Sequence, residues 1–478
     1  MTIRPLSIHL RRHWLEENPQ FWLRLLVVAG VLFIAAYLGP RASQRYLMLV
    51  LLLVLGAASA LAFLRWPPLG LAALIAASLV VPFAVGTGTQ TSLNATVLLL
   101  PLLLGLWVLE MMRRKELRLL PSRPIPPLLA LCGVAVLAFA AGNLPWFLFA
   151  QTAPLRAQLG GLAVFLFSAG AFLLVAHQVR DLRWLQAFTW LFLALGGFYM
   201  VGPLAPEVGR FTGRLFQRGA TGSLFWTWLV ALAFSQAAFN RRLHPAWRLA
   251  LGGLTLATLW LGWQNRDWAS GWLPPLVAVI VTLWAGAPRL GFPMALAGGA
   301  AAALNSQKII NIVMTGQEYS WLTRLEAWRI VLEIARVNPL LGLGPANYYH
   351  YTPLYPILGW HVQFNSHNQY VDLIAQTGLL GLACFLWFAW EAGRLGWRLR
   401  ARVTEGFARA YVYGALGGLV GTLAAGMLAD WVLPFVYNIG LAGFRASVLG
   451  WLFLGGLVAL EQRKTCDVRD AIEIESVM

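Results

Sequence analysis

The chain has 478 residues, of which 59% are hydrophobic and 12% charged, with a formal net charge of +17. A water-soluble fold of this length cannot hide so much apolar surface, because even large globules cover only part of their chain. The charge would suggest nucleic acid in a soluble protein, but Arg and Lys here flank long apolar runs, and no basic stripe interleaved with aromatics appears.

The apolar runs recur from Leu25 to Leu460. Each approaches the length a helix needs to cross a hydrocarbon core of about 30 Å. They are continuous and Leu/Ala-rich rather than alternating, which selects helices over a barrel. Residues 1–21 read as a polar, basic cytoplasmic segment with no cleavable signal peptide, since the following span is too long for a signal h-region. Spans follow at 22–39, 46–64, 69–87, 94–111, 126–142, 159–177, 184–202, 223–239, 249–264, 270–287 and 291–312. Asn305, Ser306 and Lys308 interrupt the last of these. A transmembrane region of about eleven helices thus covers 22–312. An extracytoplasmic loop is expected over 313–366. A second transmembrane region over 367–460 holds spans at 367–390, 410–429 and 443–460, and a cytoplasmic tail closes the chain over 461–478.

The reading is an all-α polytopic membrane protein of about fourteen transmembrane helices. That count puts the basic segments around Arg11, Arg113–Arg123, Arg180–Arg183, Arg241–Arg248, Arg394–Arg409 and Arg463 on one side. The positive-inside rule makes that side, and both termini, cytoplasmic. Membrane lipids are therefore expected partners and nucleic acid is not. Many Trp residues near span ends read as interfacial anchors. Cys132, Cys384 and Cys466 lie far apart and indicate neither a disulfide framework nor a metal cluster.

Basic residues on the opposite side are the informative exceptions. Arg210, Arg214 and Arg218 lie in GRFTGRLFQRGATG, Arg266 in the short turn QNRDWASGW, and Arg324, Arg329 and Arg336 in the long loop. An anion outside the membrane would explain them. Solvated or ion-paired charge is the plainer reading, with Asp267 a ready partner for Arg266.

The long loop opens with TRLEAWRIVLEIARVNP, where Leu322, Leu325, Trp328, Leu332 and Ala335 recur at the spacing of an amphipathic helix. Thr323 and Glu326 fit a capping box, and Asn338-Pro339 ends the pattern. A Gly-, Pro- and aromatic-rich stretch leads to SHNQYVDLIAQTGLLGLACF. His367 and Asn368 fall where loop becomes helix, a place where backbone N–H groups and the helix dipole favour an anion. Gly378 and Gly381 share one face, open to a neighbouring helix. His367 reads either as a hydrogen-bonded interface residue or as a general base with a pKa near neutrality. Arg324 reads as a surface charge, a head-group partner or a bidentate phosphate clamp. No DxD, HExxH, Walker A or dinucleotide pattern appears, so neither a metal nor a cofactor is expected.

The segment from Arg324 to Gly381 resembles the O-antigen ligase/polymerase family, the membrane glycosyltransfer proteins also called the Wzy C-terminal domain family. RLEAWRIVLEIARVNPLLGLGPANYY carries the likeness, together with HN followed by nine residues and GLLG. The NRDWASGW turn is similar to the family's Ser-Arg-Gly segment but has Asn265 for Ser and Asp267 for Gly. The likeness covers about residues 205–395, and the first six spans match by hydropathy alone.

The resemblance implies a GT-C-like all-helical fold and a metal-independent glycosyltransferase of the bacterial plasma (inner) membrane. Such proteins move a glycan from undecaprenyl diphosphate to an acceptor hydroxyl on the outer face, in the making of cell-envelope polysaccharide. The acceptor is lipid A–core in ligases and the next repeat unit in polymerases. Carried onto this sequence, His367 would deprotonate or orient the hydroxyl, and Arg324 and Arg266 would hold the diphosphate. Arg210, Arg214, Arg218, Arg329 and Asn368 are candidates for further donor or acceptor contacts. The alternative is a transporter or flippase of lipid-linked glycans. Against it stand the lack of an internal repeat and the scarcity of ionisable residues within the spans. A partner-binding relative without activity is a third reading.

Overall fold

The computed structural model describes residues 56, 58–86, 92–116, 118–216, 219–304 and 318–477. The chain divides into two units, residues 1–65 and 66–478. The second carries everything that follows. The expected spans 22–39 and 46–64 lie wholly or largely outside the described residues, as do Arg218, Lys308 and 313–317.

The described chain is mostly helical. In order come α1 (Pro67–Val80), α2 (Ala95–Arg114), α3 (Ile125–Ala141), α4 (Leu155–Gln178), α5 (Leu182–Val201) and α6 (Pro206–Leu215). Then follow α7 (Ser223–Phe239), α8 (Pro245–Gln264), α9 (Ala269–Gly286) and α10 (Pro288–Leu304). The last group is α11 (Glu318–Ala335), the one-turn α12 (Tyr348–Tyr351), α13 (Gln369–Arg402), α14 (Phe407–Leu428) and α15 (Gly440–Val477). Strands β1 (Ala84–Gly86) and β2 (Ser92–Asn94) pair antiparallel ahead of α2. Local chemistry sets many of the ends. Proline opens α1, α3, α6 and α8, where a missing N–H is no loss. The Asn94 side chain accepts from Val97 N–H at 3.1 Å to cap α2, which Lys115 ends in the left-handed region.

Seven of the described helices are long and apolar enough to cross a membrane: α2, α4, α5, α9, α13, α14 and α15 as far as Arg463. The apolar helices α1, α3 and α7 are shorter. The molecule is thus consistent with a polytopic membrane protein. Helix α8 occupies the expected span 249–264, and α10 is described to Leu304, short of the Asn305-Ser306 interruption. Leu137, Leu256, Trp260 and Trp390 stand more than half exposed on helix exteriors, at 58%, 70%, 61% and 69%. So much bare apolar surface is what a lipid bilayer covers.

Helix α14 is the hub, packing on α7, α9 and α13. Its glycines make the approach possible. A β-carbon at Gly417 would stand 2.4 Å from the Ala278 carbonyl on α9, and one at Gly414 2.9 Å from the Ala231 carbonyl on α7. Small residues on one face let helix backbones meet, the usual solution where lipid offers no hydrophobic drive. Helix α15 lies along α4. At its start Arg445, 2% exposed, donates to the Ser78 and Leu79 carbonyls at 2.8 and 3.2 Å. A buried guanidinium there satisfies the C-terminal end of α1.

Two expectations about the long loop change. Helix α11 begins at Glu318, so Thr323 and Glu326 lie within it and form no capping box; Glu326 instead pairs with Arg329. Its buried face is Ala327, Ile330, Val331, Ile334 and Ala335, set against Tyr348, Tyr351, Val371 and Phe435. Leu322, Leu325 and Leu332 remain exposed. The helix carries two apolar stripes at helical spacing, and the β-branched one docks.

The second change concerns Gly378. With φ +67° and ψ −172° it breaks α13. Segment 339–344 fills the break with backbone hydrogen bonds. Leu379 and Leu380 N–H donate to the Pro339 and Leu340 carbonyls at 2.8 and 3.2 Å, and Leu343 and Gly344 N–H donate to Ala375 and Gln376 at 2.8 and 3.0 Å. The close approach expected at Gly378 is therefore made by a loop and not by a neighbouring helix. Gly381 faces Thr377 of its own helix.

Candidate functional site

Helix α11, the segment 349–367 and residues 437–438 enclose an open cleft with about 660 Å³ of empty space. Arg324 enters it from α11, His367 from the turn before α13, and Asn438 from the turn before α15. Tyr349, Phe364 and Tyr437 give it aromatic walls.

His367 adopts φ +49°, a left-handed conformation that costs a non-glycine residue about 1–3 kcal/mol. Its neighbours hold it there. The Ser366 carbonyl accepts from Trp328 Nε1–H at 2.7 Å, and Ser366 Oγ lies 2.8 Å from Asp372 Oδ1. Tyr348 OH donates to the same Asp372 oxygen at 2.5 Å. On the other side Asn368, 4% exposed, caps α13, its Oδ1 accepting from Tyr370 and Val371 N–H at 2.9 and 3.3 Å. Amides that would have met an anion are thus satisfied by the helix's own cap, and Asn368 stands behind the cleft.

The ring of His367 is tied by the connection between α14 and α15. Asn438 Nδ2 lies 3.4 Å from His367 Nδ1 and also donates, in a short hydrogen bond, to Asp430 Oδ1. Asp430 Oδ2 accepts from Phe435 N–H at 2.7 Å. Burial first, then the charge of Arg324, pushes the His367 imidazole down to about 4, so it is neutral at pH 7. Burial pushes the Asp430 carboxyl up to about 6 against the hydrogen bonds from Phe435 and Asn438. Tyr348 is held well above its ordinary range by burial and then by Asp372 beside it.

Arg324 is partly buried and donates through Nη1 to the Leu428 carbonyl at 3.3 Å. Burial lowers its pKa, though a guanidinium stays charged. Among the described ion pairs none engages Arg324. Arg329 differs: it grips Glu326 at 2.7 and 3.0 Å with 67% of its side chain exposed, a solvated surface pair that adds little to stability.

The structure brings Arg324 and His367 together. It does not bring Arg266, Arg210, Arg214 or Arg329 into this cleft. Arg266 is exposed in the α8–α9 turn, its carbonyl accepting from Trp272 Nε1–H at 3.0 Å. Arg210 and Arg214 are exposed on α6.

Asp430, Asn438 and the tyrosines escaped the sequence reading. Asp430 had a signal: a charged residue at the end of an apolar run is a functional candidate by default. Tyr349 and Tyr437 stack at 4.6 Å with a 12° interplanar angle, and Tyr437 OH lies 3.1 Å from His350 Nε2. The cleft thus offers one cation, a neutral imidazole, amides and aromatic faces. That inventory suits an anionic, hydroxyl-rich ligand. Among the described residues no group of three or more His, Cys, Asp or Glu could hold a metal ion.

Residues 246–386 match the family model described as O-antigen ligase. This supports the O-antigen ligase/polymerase family for the chain. The matched stretch runs from the start of α8 into α13 and contains Arg266, Arg324, His367 and Gly378; Asp430 and Asn438 lie beyond it. The match to that family suggests glycan transfer of the ligase or polymerase type, lipid-linked glycan substrates and a multi-pass setting in a membrane. No curated protein matches the chain.

Proposed function

We propose that this protein transfers a glycan from an undecaprenyl-diphosphate carrier to a hydroxyl acceptor at the outer face of the bacterial plasma membrane, without a metal. The observation that carries the proposal is the meeting of Arg324 and His367 in one aromatic-walled cleft, within the stretch that matches the ligase family. In such a transfer the acceptor oxygen bonds to the anomeric carbon as the carbon–oxygen bond to the diphosphate breaks. The electron pair goes to the leaving diphosphate. A planar guanidinium in a site of reduced dielectric stabilises that charge. A neutral imidazole beside it can take the acceptor's proton or hold an oxygen through its own N–H. The faces of Tyr349 and Tyr437 suit the apolar face of a sugar ring.

Arg266 belongs to the proposal as a diphosphate contact from the α8–α9 turn. Arg210, Arg214, Arg218 and Arg329 belong to it as contacts to remoter parts of donor or acceptor. The basic segments on the opposite side support both termini in the cytoplasm and residues 313–366 outside. A transporter would use a broken helix such as α13 to bind ions or substrate through freed carbonyls. The carbonyls of Ala375 and Gln376 beside this break accept backbone N–H groups instead.

The test uses purified protein in nanodiscs with an undecaprenyl-diphosphate oligosaccharide, an acceptor extract and EDTA. Release of undecaprenyl diphosphate by the parent, lost in Arg324→Ala while donor still binds, is the expected result. Donor binding without release from any acceptor offered favours the transporter.

A further inference from the structure

Asn438 joins two groups that lie far apart in the chain, and its geometry decides which nitrogen of His367 carries the proton. Asp430 is fully buried, with one oxygen on Phe435 N–H and the other on the Asn438 amide. Both Asp430 oxygens accept, one from Phe435 N–H and the other from the NH2 of Asn438, so the amide presents its nitrogen and not its carbonyl to the carboxyl. That NH2 has a second hydrogen, and His367 Nδ1 is the acceptor within reach at 3.4 Å. A neutral imidazole has one N–H and one lone pair. With the lone pair on Nδ1, the proton sits on Nε2, the ring nitrogen left for a ligand in the cleft.

We infer that Asp430, acting through Asn438, locks His367 in the tautomer protonated on Nε2, so that His367 meets its substrate as a hydrogen-bond donor and not as a base. Asp430 and Asn438 are positioning residues in this scheme. The titratable neighbours are consistent with it. Arg324 opposes a second proton on the ring. Asp372, the other buried acid nearby, whose pKa is raised by burial and then by Asp430, is engaged by Tyr348 OH and Ser366 Oγ rather than by the imidazole.

The consequence rests on the glycan-transfer reading. A neutral Nε2–H beside Arg324 supplies a second fixed donor to the diphosphate oxygens as they gain charge. No proton passes through His367. The acceptor hydroxyl forms its bond to the anomeric carbon, the carbon–oxygen bond to the diphosphate breaks with its electron pair on the leaving oxygen, and the hydroxyl proton goes to the departing diphosphate.

The test is nitrogen NMR of the full-length protein in nanodiscs with 15N-labelled histidine. His367→Gln identifies the His367 signals among the seven histidines. The expected parent spectrum at pH 7 has a protonated Nε2 and a bare Nδ1. The paired exchange Asp430→Asn with Asn438→Asp keeps charge and size but reverses the hydrogen bond to the ring, and it should move the proton to Nδ1. A parent ring protonated on Nδ1, or on both nitrogens at pH 7, overturns the inference; if the exchanged variant does not fold, the parent spectrum decides alone. This readout needs no turnover. A parent that shows the Nε2–H tautomer but releases no undecaprenyl diphosphate would sink the transfer reading and leave the lock standing.

Discussion

The carbonyl oxygen of Leu340 stands where Gly378 leaves room for it: a β-carbon on Gly378 would lie 2.1 Å away. The φ of +67° at Gly378 adds strain for any other residue. Because segment 339–344 binds the break on both sides, Gly378→Ala should dislodge the first turns of α13 and the His367 turn with them. The expected result is a large fall in thermal unfolding temperature and in folded yield. Gly252→Ala on α8, where nothing lies within 4 Å, should be neutral or slightly stabilising.

Arg324 and Arg336 are arginines of one region with different surroundings. Arg336 pairs with Glu333 at 2.7 Å and is 76% exposed, while Arg324 faces the cleft. Arg324→Ala should lower kcat about 100- to 1000-fold, the usual cost of one preorganised donor at developing charge. Arg324→Lys should recover only part, because the planar fork is lost. Arg336→Ala should leave turnover unchanged, measured in the same assay.

His367 and Asp430 have opposite pH signatures. The folded imidazole is held at about 4 against 6.5, so the unfolded chain binds more protons between those values and His367 favours folding as pH rises. The folded Asp430 carboxyl is held at about 6 against 3.8, so the folded chain binds more protons there and Asp430 favours folding as pH falls. The two slopes oppose across about pH 4–6. Relative to the parent, Asp430→Asn should therefore gain stability more steeply as pH rises through that window, and His367→Gln less steeply. Unfolding temperatures against pH measure both.

Tyr437 stacks on Tyr349 and lines the cleft. If a sugar ring uses this wall, Tyr437→Ala should raise KM for the glycan acceptor or donor with little change in kcat. Tyr437→Phe should stay close to the parent, since the ring face is kept. Equal loss in both would point to the contact of Tyr437 OH with His350 instead.

Arg324 and His367 were legible because chemistry-bearing residue types stand out among apolar neighbours, at a spacing a known family shares. Asn438 was not, since it lies 71 residues from His367 and meets it only through the packing of α13, α14 and α15. The docked face of α11 was not legible either: both of its apolar stripes satisfy a helical period, and only the partner surface chooses. The break at Gly378 left no mark because apolar residues continue through it, and the bonds that stabilise it come from 339–344. The capping box at Thr323 looked sound locally but sat inside a longer helix.

The proposed glycan transfer needs Arg324 and His367 to act as one site. It is tested by the initial rate of acceptor glycosylation by the purified protein in nanodiscs, compared among the parent, Arg324→Ala, His367→Ala and the double variant. The expected result is an active parent, single variants each reduced at least about 100-fold, and a double variant little worse than the poorer single one, as residues acting as a unit behave. A parent that binds donor yet glycosylates nothing, or single variants as active as the parent, would contradict it.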